Sequence, residues 1–377
     1  MLPQIQTPAL LLEERVLLAN ARHMADRIAG LGASLRPHVK THKSLEAARL
    51  VAAAGNTAGI TVSTLAEAEF FFAGGFSDIL YAVGMADAKV ERAAVLIRAG
   101  CGLAMITDDA GMARRLGAAA ERAEVDLPLL IELDVDGHRS GVDPDGDALL
   151  EVARVIGESE RLTLRGVMTH AGGSYAATTA AERAFHARRE IERTRAAAAR
   201  LRAAGFGCPV VSVGSTPTAM SYEELEGVTE VRAGVYAFHD LVQVGIGVAR
   251  TDDIAISVLT TVIGHQRAKG WTIVDAGWTA LSRDRGTADQ PLDQGYGVVC
   301  DEAGEPIEGA IVIQTNQEHG IVAARPGAAP LDPDGFPVGT RLRILPNHAC
   351  ATAAQFDGYE VLRVDGSVER WARAWAH

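Results

Sequence analysis

The sequence predicts an α/β fold, a TIM (β/α)8 barrel followed by an all-β C-terminal domain, and two features of the chain carry that prediction. Up to about residue 245, short apolar runs alternate eight times with Ala-, Arg- and Glu-rich stretches of helical period. Beyond about residue 250 the helical pattern stops, and apolar runs are separated by Gly, Pro and Asp turns such as Asp332-Pro-Asp-Gly335. Strands covered on both faces read as continuous apolar runs, and eight of them, each followed by a helix, is the count of a closed barrel. A doubly wound open sheet competes, but no strand leads into a GxGxxG turn and eight units exceed its usual size.

A helix over Glu14–Ala29 precedes the first strand. The strands are expected at Leu35–Lys40, Gly59–Ser63, Asp78–Ala82, Gly102–Thr107, Leu127–Asp134, Leu164–His170, Val210–Gly214 and Glu230–Gly234. Between them, helical patterns cover Leu45–Ala54, Leu65–Ala73, Ala86–Ala99, Asp109–Glu121, Asp147–Gly157 and Ala180–Ala204. The β-like segments of the tail are Ile254–Ile263, Trp271–Ala276, Ala310–Gln314, Gly320–Ala324, Thr340–Leu345 and Tyr359–Val364. The chain therefore divides into a barrel domain, 13–248, and a β-rich domain, 249–377, which residues 1–12 can join as an extended segment.

Composition narrows the function. The 377 residues are 48% hydrophobic and 22% charged, enough for well-buried cores. A formal net charge of −12 argues against nucleic acid or an anionic membrane as partner. No apolar run approaches the roughly 20 residues of a membrane span, and the N-terminus lacks a signal-peptide pattern. Cys101, Cys208, Cys300 and Cys350 are scattered without disulfide-framework spacing. These features predict a soluble cytoplasmic protein.

Lys40 is the most informative residue. It ends the first strand run within Leu-Arg-Pro-His-Val-Lys-Thr-His-Lys, residues 35–43, beside Arg36, His38, His42 and Lys43. Crowded cations repel one another, so the proton of one of them is expected to be lost more easily. A deprotonated lysine is a nucleophile that forms a Schiff base with a carbonyl compound. A basic surface patch is the alternative, but Pro37 and Val39 interleave with the charges, as in a segment that points into a site.

A barrel builds its active site where strands finish, and chemistry-bearing residues collect there. Ser63-Thr64 closes the second strand, Asp136-Gly-His-Arg-Ser-Gly141 follows the fifth and His170-Ala-Gly-Gly-Ser-Tyr175 the sixth. Gly214-Ser-Thr-Pro-Thr218 follows the seventh, and Arg232-Ala-Gly-Val-Tyr236 covers the end of the eighth. The Gly-Ser-Thr turn offers N–H groups and hydroxyls of the kind that cradle phosphate, although small polar residues also cap helices generally. In the tail, Pro346-Asn-His-Ala-Cys350 places His348 and Cys350 two apart on an expected extended segment, facing one side. Imidazole and thiolate are zinc donors, and two of them suit a catalytic metal with open positions; the alternative is a buried Cys beside an incidental His. Gln317-Glu-His319 could add to that site or form a plain turn, and Ser282-Arg-Asp-Arg285 offers Arg283 and Arg285 to a substrate carboxylate or is a solvated loop.

Taken in order, RPHVKTHK, HAGGSY, SVGSTPT, EVRAGVY and PNHACAT resemble the D-serine dehydratase and D-threo-3-hydroxyaspartate dehydratase group, with D-threonine aldolase, among fold-type III, alanine racemase-like pyridoxal-phosphate enzymes. ITVSTLAEAEFF, VDAGWTALSRDRGTA and TNQEHGI look most similar to the bacterial D-threo-3-hydroxyaspartate dehydratase branch. The resemblance implies that Lys40 holds pyridoxal 5'-phosphate covalently. Gly214, Ser215, Thr216, Gly234 and Tyr236 would surround its phosphate, and His38, His170, Arg139 and Tyr175 its ring. His348 and Cys350 would bind a divalent metal, zinc in the dehydratases; apart from the resemblance, Arg283, Arg285 and Gln317 are the candidates to face the substrate. The resemblance further implies a lyase converting a β-hydroxy-D-amino acid, D-threo-3-hydroxyaspartate or D-serine, into a 2-oxo acid and ammonia, acting as a homodimer. A retro-aldol aldolase, an amino-acid racemase or a non-catalytic cofactor-binding barrel are the alternatives; Cys350, where the aldolases carry Asp, favours dehydration.

Overall fold

The computed structural model describes residues 4–55 and 57–374; the ends of the expected β-rich domain, residues 1–3 and 375–377, lie outside the described residues. The chain forms two compact units, one made of the residues up to Ala21 with Val235–Arg373, the other of Arg22–Gly234 with the residues from Ala374. Strand β1 (Ala9–Glu13) and helix α1 (Glu14–Gly30) come first.

The second of these units is the barrel. Its strands are β2 (Ser34–Pro37), β3 (Ile60–Val62), β4 (Asp78–Gly84), β5 (Gly102–Thr107), β6 (Leu127–Leu133), β7 (Leu162–Thr169), β8 (Val210–Val213) and β9 (Glu230–Ala233). Between them lie α2 (Leu45–Ala53), α3 (Leu65–Ala73), α4 (Val90–Arg98), α5 (Ala110–Ala123), α6 (Ala148–Gly157), α7 (Ala180–Ala203) and the single turn α8 (Thr216–Ala219). Each strand pairs in parallel with its neighbour, in the order β2-β9-β8-β7-β6-β5-β4-β3. Isolated bridges Leu35–Thr57 and His38–Thr61 close the seam between β2 and β3. The expected barrel is therefore present, with Leu80, Ile106, Leu130 and Met168 packed together as a buried cluster.

Local chemistry accounts for the element ends. Thr64, Asp109 and Thr179 stand at helix N-caps and accept the N–H groups of Glu67, Met112 and Glu182, supplying partners that the first turn lacks. Helix α5 buries Ala113, Leu116, Ala120 and Ala123, a stripe at three- and four-residue spacing. One boundary differs from expectation where it matters. Strand β2 stops at Pro37, and Val39–His42 form a turn closed by Lys43 N–H donating to the Val39 carbonyl at 2.8 Å. Lys43 adopts φ 47°, which ends the extended run. Lys40 thus sits on a turn beyond the strand and is exposed.

The other unit is antiparallel. After α9 (Leu241–Ile246) come β10 (Ile256–Gln266), β11 (Trp271–Val274), α10 (Trp278–Leu281), β12 (Gly297–Cys300), β13 (Pro306–Thr315), β14 (Gly320–Ala324), β15 (Arg341–Pro346), α11 (Ala349–Ala353), β16 (Gly358–Leu362) and β17 (Val368–Ala372). Strand β10 is bulged between Val262 and Gly264, and pairs with β11, β15 and β1. Strand β1 inserts between β10 and β16 through the buried run Leu10-Leu11-Leu12. Strands β12 and β17 and helices α9 to α11 were not predicted. They are too short, or too interrupted by polar residues, to show a period.

Gly166 marks the tightest backbone approach in the barrel wall. It has φ +138°, and a Cβ there would lie 1.9 Å from the Val210 carbonyl oxygen. Gly166→Ala is expected to lower stability by about 2–4 kcal/mol, read as a reduced urea midpoint at unchanged m-value.

Candidate active site

The sequence crowds four cationic or titratable residues around Lys40, and the structure gives several of them partners of their own. Arg36 Nε donates to Glu230 Oε2 at 2.8 Å and Nη1 to Asp78 Oδ1 at 2.9 Å. Lys43 Nζ lies 2.9 Å from Oε1 of Glu67, whose side chain is fully buried. Glu67 Oε2 also accepts the Ser63 N–H at 2.8 Å, so one carboxylate ties the Lys40 turn to the end of β3. The expected repulsion from Arg36 and Lys43 is therefore corrected: each positive charge is matched by carboxylate at short range.

What surrounds Lys40 is a pair of imidazoles kept neutral. Burial pushes the His38 pKa well down, aided by the charges of Lys40, Arg232 and His170. His170 falls to about 3 through burial, then through Arg139, Lys40 and Arg232. Its Nδ1–H donates to the Gly214 carbonyl at 3.1 Å, since a carbonyl can only accept, which leaves Nε2 as an acceptor. The Tyr175 ring lies 6.2 Å from that imidazole, centroid to centroid. Arg139 is exposed on the loop after β6 and acts on His170 through its charge.

The loop after β8 is shaped by close approach. Gly214 has φ +133°, and a Cβ on it would lie 2.1 Å from the Arg232 carbonyl oxygen. A Cβ on Gly234 would lie 2.9 Å from the His38 carbonyl oxygen. Ser215 caps α8 by accepting the Thr218 N–H, and its Oγ lies 2.9 Å from Ser174 Oγ on the preceding loop. Ser215 and Thr216 are 2% and 1% exposed, so a ligand reaching them would be held by hydroxyls largely withdrawn from water. Tyr236 lies on the 3-10 turn Val235–Ala237, where burial raises its pKa. A primary amine on an exposed turn, neutral imidazoles with the Tyr175 phenol beside them, and a hydroxyl-lined glycine turn fit an aromatic aldehyde that bears a phosphate.

The antiparallel unit builds the second constellation. His348 is the N-cap of α11 and Cys350 lies in its first turn, so the pair is not on an extended strand as expected. The two still meet: a side-chain hydrogen bond from Cys350 is among the contacts on the imidazole. His348 Nδ1 lies 2.6 Å from Asp284 Oδ2, on the loop that sequence reasoning valued for its arginines. Burial opposes the imidazolium charge, but Asp284, Cys350 and Asp240 together raise the His348 pKa to about 11. The motif is fixed on both sides. Asp240 accepts the Ala349 N–H at 2.9 Å and the Gln243 N–H at 3.0 Å, and Asn347 Oδ1 accepts the Thr287 N–H at 2.9 Å. Among the described residues, no group of three or more His, Cys, Asp or Glu is placed to hold a metal. His348 and Cys350 can supply two ligands of an open coordination sphere, and the negative charge around them suits a cation.

The substrate candidates separate. Arg285 pairs with Asp293 and covers the Tyr296 ring, so its charge is already committed. Arg283 is exposed, with its guanidinium 4.5 Å from the Trp278 ring centroid. Gln317 works through its backbone, its carbonyl accepting the Thr279 N–H and hydroxyl, while its side chain is exposed.

Residues 14–241 match the alanine racemase N-terminal domain family, and residues 255–362 match the serine dehydratase domain family. The chain is 52% identical to the D-threo-3-hydroxyaspartate dehydratase of Delftia sp. over 98% of this chain and 97% of that one. The chain belongs to the D-serine dehydratase and D-threo-3-hydroxyaspartate dehydratase group of alanine racemase-like, fold-type III pyridoxal-phosphate enzymes. A solved D-threo-3-hydroxyaspartate dehydratase, a cysteine-to-alanine mutant in the metal-free form, superposes with a TM-score of 0.96 at 51% identity, covering 98% of each chain. The 3-hydroxy-D-aspartate aldolase of Paracoccus denitrificans is more distant, 29% identical over 97% of this chain and 90% of its own. No helix among the described residues of this group member is long and apolar enough to cross a membrane.

Sequence reasoning passed over two residues at these sites. Arg232 was quoted only as part of a loop, yet it is a buried cation acting on both His38 and His170. Asp284 lies between Arg283 and Arg285 in sequence and 64 residues from His348, so the sequence carries no signal of the pairing. Glu67→Ala would leave the Lys43 ammonium, on a side chain only 13% exposed, without this counter-charge. The variant is expected to lose about 3–5 kcal/mol of stability, measurable as a lower denaturation midpoint.

Proposed function

We propose that this protein is a pyridoxal-phosphate- and divalent-metal-dependent ammonia-lyase that dehydrates a β-hydroxy-D-amino acid, D-threo-3-hydroxyaspartate foremost, to a 2-oxo acid and ammonia. The observation that carries the reading is the exposed Lys40 amine beside His170, an imidazole held neutral next to a hydroxyl-lined turn. The high identity to a named dehydratase, against the lower identity to an aldolase, supports dehydration over retro-aldol cleavage.

Bound pyridoxal phosphate supplies an electron sink for negative charge developing at the substrate Cα. Lys40 Nζ would hold the cofactor, and its amine is the general base that would take the Cα proton of the substrate. His170 and Tyr175 orient the ring, with His38 and Arg139 setting the charge around it. Gly214, Ser215, Thr216 and Gly234 would hold the phosphate, and Tyr236 is a separate candidate for the same role. A neutral imidazole at His170 leaves the electronics of the ring to other groups, because it adds no fixed positive charge.

Hydroxide is a poor leaving group; His348 and Cys350 would hold a divalent ion, zinc in our reading, and the chemistry it would supply is Lewis-acid assistance to the departure of hydroxide. Asp284 fixes the histidine for that task. Accepting the Nδ1 proton turns Nε2 toward a metal and makes it more basic. Arg283, whose charge has no carboxylate in reach among its described contacts, is the candidate for the distal carboxylate of a dicarboxylic substrate. The homodimer belongs to the same proposal and is checked by light scattering.

Incubation with D-threo-3-hydroxyaspartate, D-serine and D-threonine should give 2-oxo acid and ammonia and little glycine. Glycine as the main product would replace the dehydratase by an aldolase. Lys40→Ala should abolish both turnover and the visible absorption band of the bound cofactor. Retention of either in that variant would remove Lys40 from the role. Arg283→Ala should raise KM for the dicarboxylic substrate more than for D-serine.

The metal has a separate test. Chelation should stop ammonia release while leaving the cofactor band in place, and a divalent ion should restore turnover. Asp284→Asn should weaken metal affinity about 10- to 100-fold, and Cys350→Ala more steeply. Full activity in a preparation shown by elemental analysis to be metal-free would reduce His348 and Cys350 to structural residues.

A further inference from the structure

Glu190 sits in the middle of α7, fully buried, in a stretch that reads as an ordinary charged helix. Its carboxylate holds backbone from two different loops. Oε1 accepts the Gly214 N–H at 2.9 Å and the Ala171 N–H at 3.2 Å. Oε2 accepts the Tyr222 hydroxyl at 2.5 Å. Tyr222 Oη lies 3.0 Å from Thr218 Oγ1, which lies 3.0 Å from Ser215 Oγ. Ser215 Oγ is 2.9 Å from Ser174 Oγ, which donates to the Ala171 carbonyl at 2.7 Å. The circuit therefore returns to the residue from which it began. It encloses the root of the His170–Tyr175 loop and the root of the Gly214–Thr216 loop.

A buried carboxylate is an expensive way to hold a loop, because burial disfavours its charge. Only an acceptor with two oxygens and no hydrogen takes two N–H groups and a phenol at once, and Arg232 adds a compensating positive charge. We propose that Glu190 is a positioning residue that sets the spacing between the ring-side loop and the phosphate-side turn, so that the cofactor is held at both ends in one geometry. The inference rests on the cofactor reading above. His170 is the point where that spacing reaches the ring, since its Nδ1–H is bonded to the carbonyl of Gly214, the residue whose N–H Glu190 holds.

The test compares wild-type holoenzyme with Glu190→Gln and Tyr222→Phe, both nearly isosteric, so that folding is kept even where Glu190→Ala fails to fold. Gln keeps the oxygen for the two N–H groups but sets an NH2 against the Tyr222 hydroxyl, and Phe removes only the phenol. Three readouts are taken: dissociation constant for pyridoxal phosphate, phosphorus NMR shift of the bound phosphate, and exchange protection of the Gly214 and Ala171 amides. Glu190→Gln should bind the cofactor about 10- to 100-fold more weakly, the loss of one or two charge-assisted hydrogen bonds. Its phosphorus resonance should move, and both amides should exchange faster. Tyr222→Phe should shift the same readouts in the same direction by less. A Glu190→Gln protein with wild-type cofactor affinity, phosphorus shift and amide protection overturns the assignment while leaving the cofactor reading intact. A wild-type protein that takes up no pyridoxal phosphate overturns both.

Discussion

Arg36 Nε bonds Glu230 Oε2 at 2.8 Å, Glu230 Oε1 accepts Ser212 Oγ at 2.7 Å, and Ser212 Oγ accepts Arg232 Nε at 2.8 Å; Arg232 then donates to the Thr169 carbonyl. This line of buried charge crosses from β2 through β9 and β8 to the end of β7, four neighbouring barrel strands. Apolar packing alone would tolerate small slips between parallel strands; a chain of directional bonds among groups that cannot be left bare does not. Removing Arg36, Glu230 or Arg232 would unbalance the charges in the interior. The strand ends that carry His38, His170, Gly214 and Gly234 are therefore held at one height, and the candidate site inherits that rigidity.

The same line sets the electrostatics. Arg232 is buried beneath the imidazoles, and together with Lys40 it opposes a proton on either His38 or His170. The barrel thus presents neutral rings around an amine in place of the dense positive cluster that the residue order suggests. Arg36 and Lys43 are the reason for the difference. Their charges are spent on Glu230, Asp78 and Glu67, all brought near by the fold from distant positions. The glycines at 214 and 234 let backbone come close together, Gly234 to the His38 carbonyl and Gly214 to that of Arg232.

The antiparallel unit solves a different problem, that of placing a histidine and a cysteine together without a regular strand to carry them. Asp240, Asn347 and Asp284 each take hold of the segment 347–350 or its neighbours, and all three lie in loops. The imidazolium that balances three acidic neighbours marks the place where a cation is wanted. A divalent ion there would replace a proton, which makes metal affinity and proton release two sides of one equilibrium.

The sequence by itself determined the barrel, the antiparallel tail, the joining of Leu10-Leu11-Leu12 to that tail, and the residues that end the strands. Those features depend on local period and on turn chemistry, which each segment carries within itself. Lys40, His170 and Ser215 could be picked out as candidates because each is a reactive or hydroxyl-bearing type at an expected strand end, and His348 and Cys350 because they are two donor types two residues apart. Tertiary structure alone decided which charges neutralise which. Glu67, Glu190, Glu230 and Asp284 look like solvated acids in their own segments, and the side chains they pair with, Lys43, Tyr222, Arg36 and His348, come from distant positions in the chain. A buried carboxylate is defined by donors that arrive from elsewhere in the chain, so its role becomes visible only when the strands are in register.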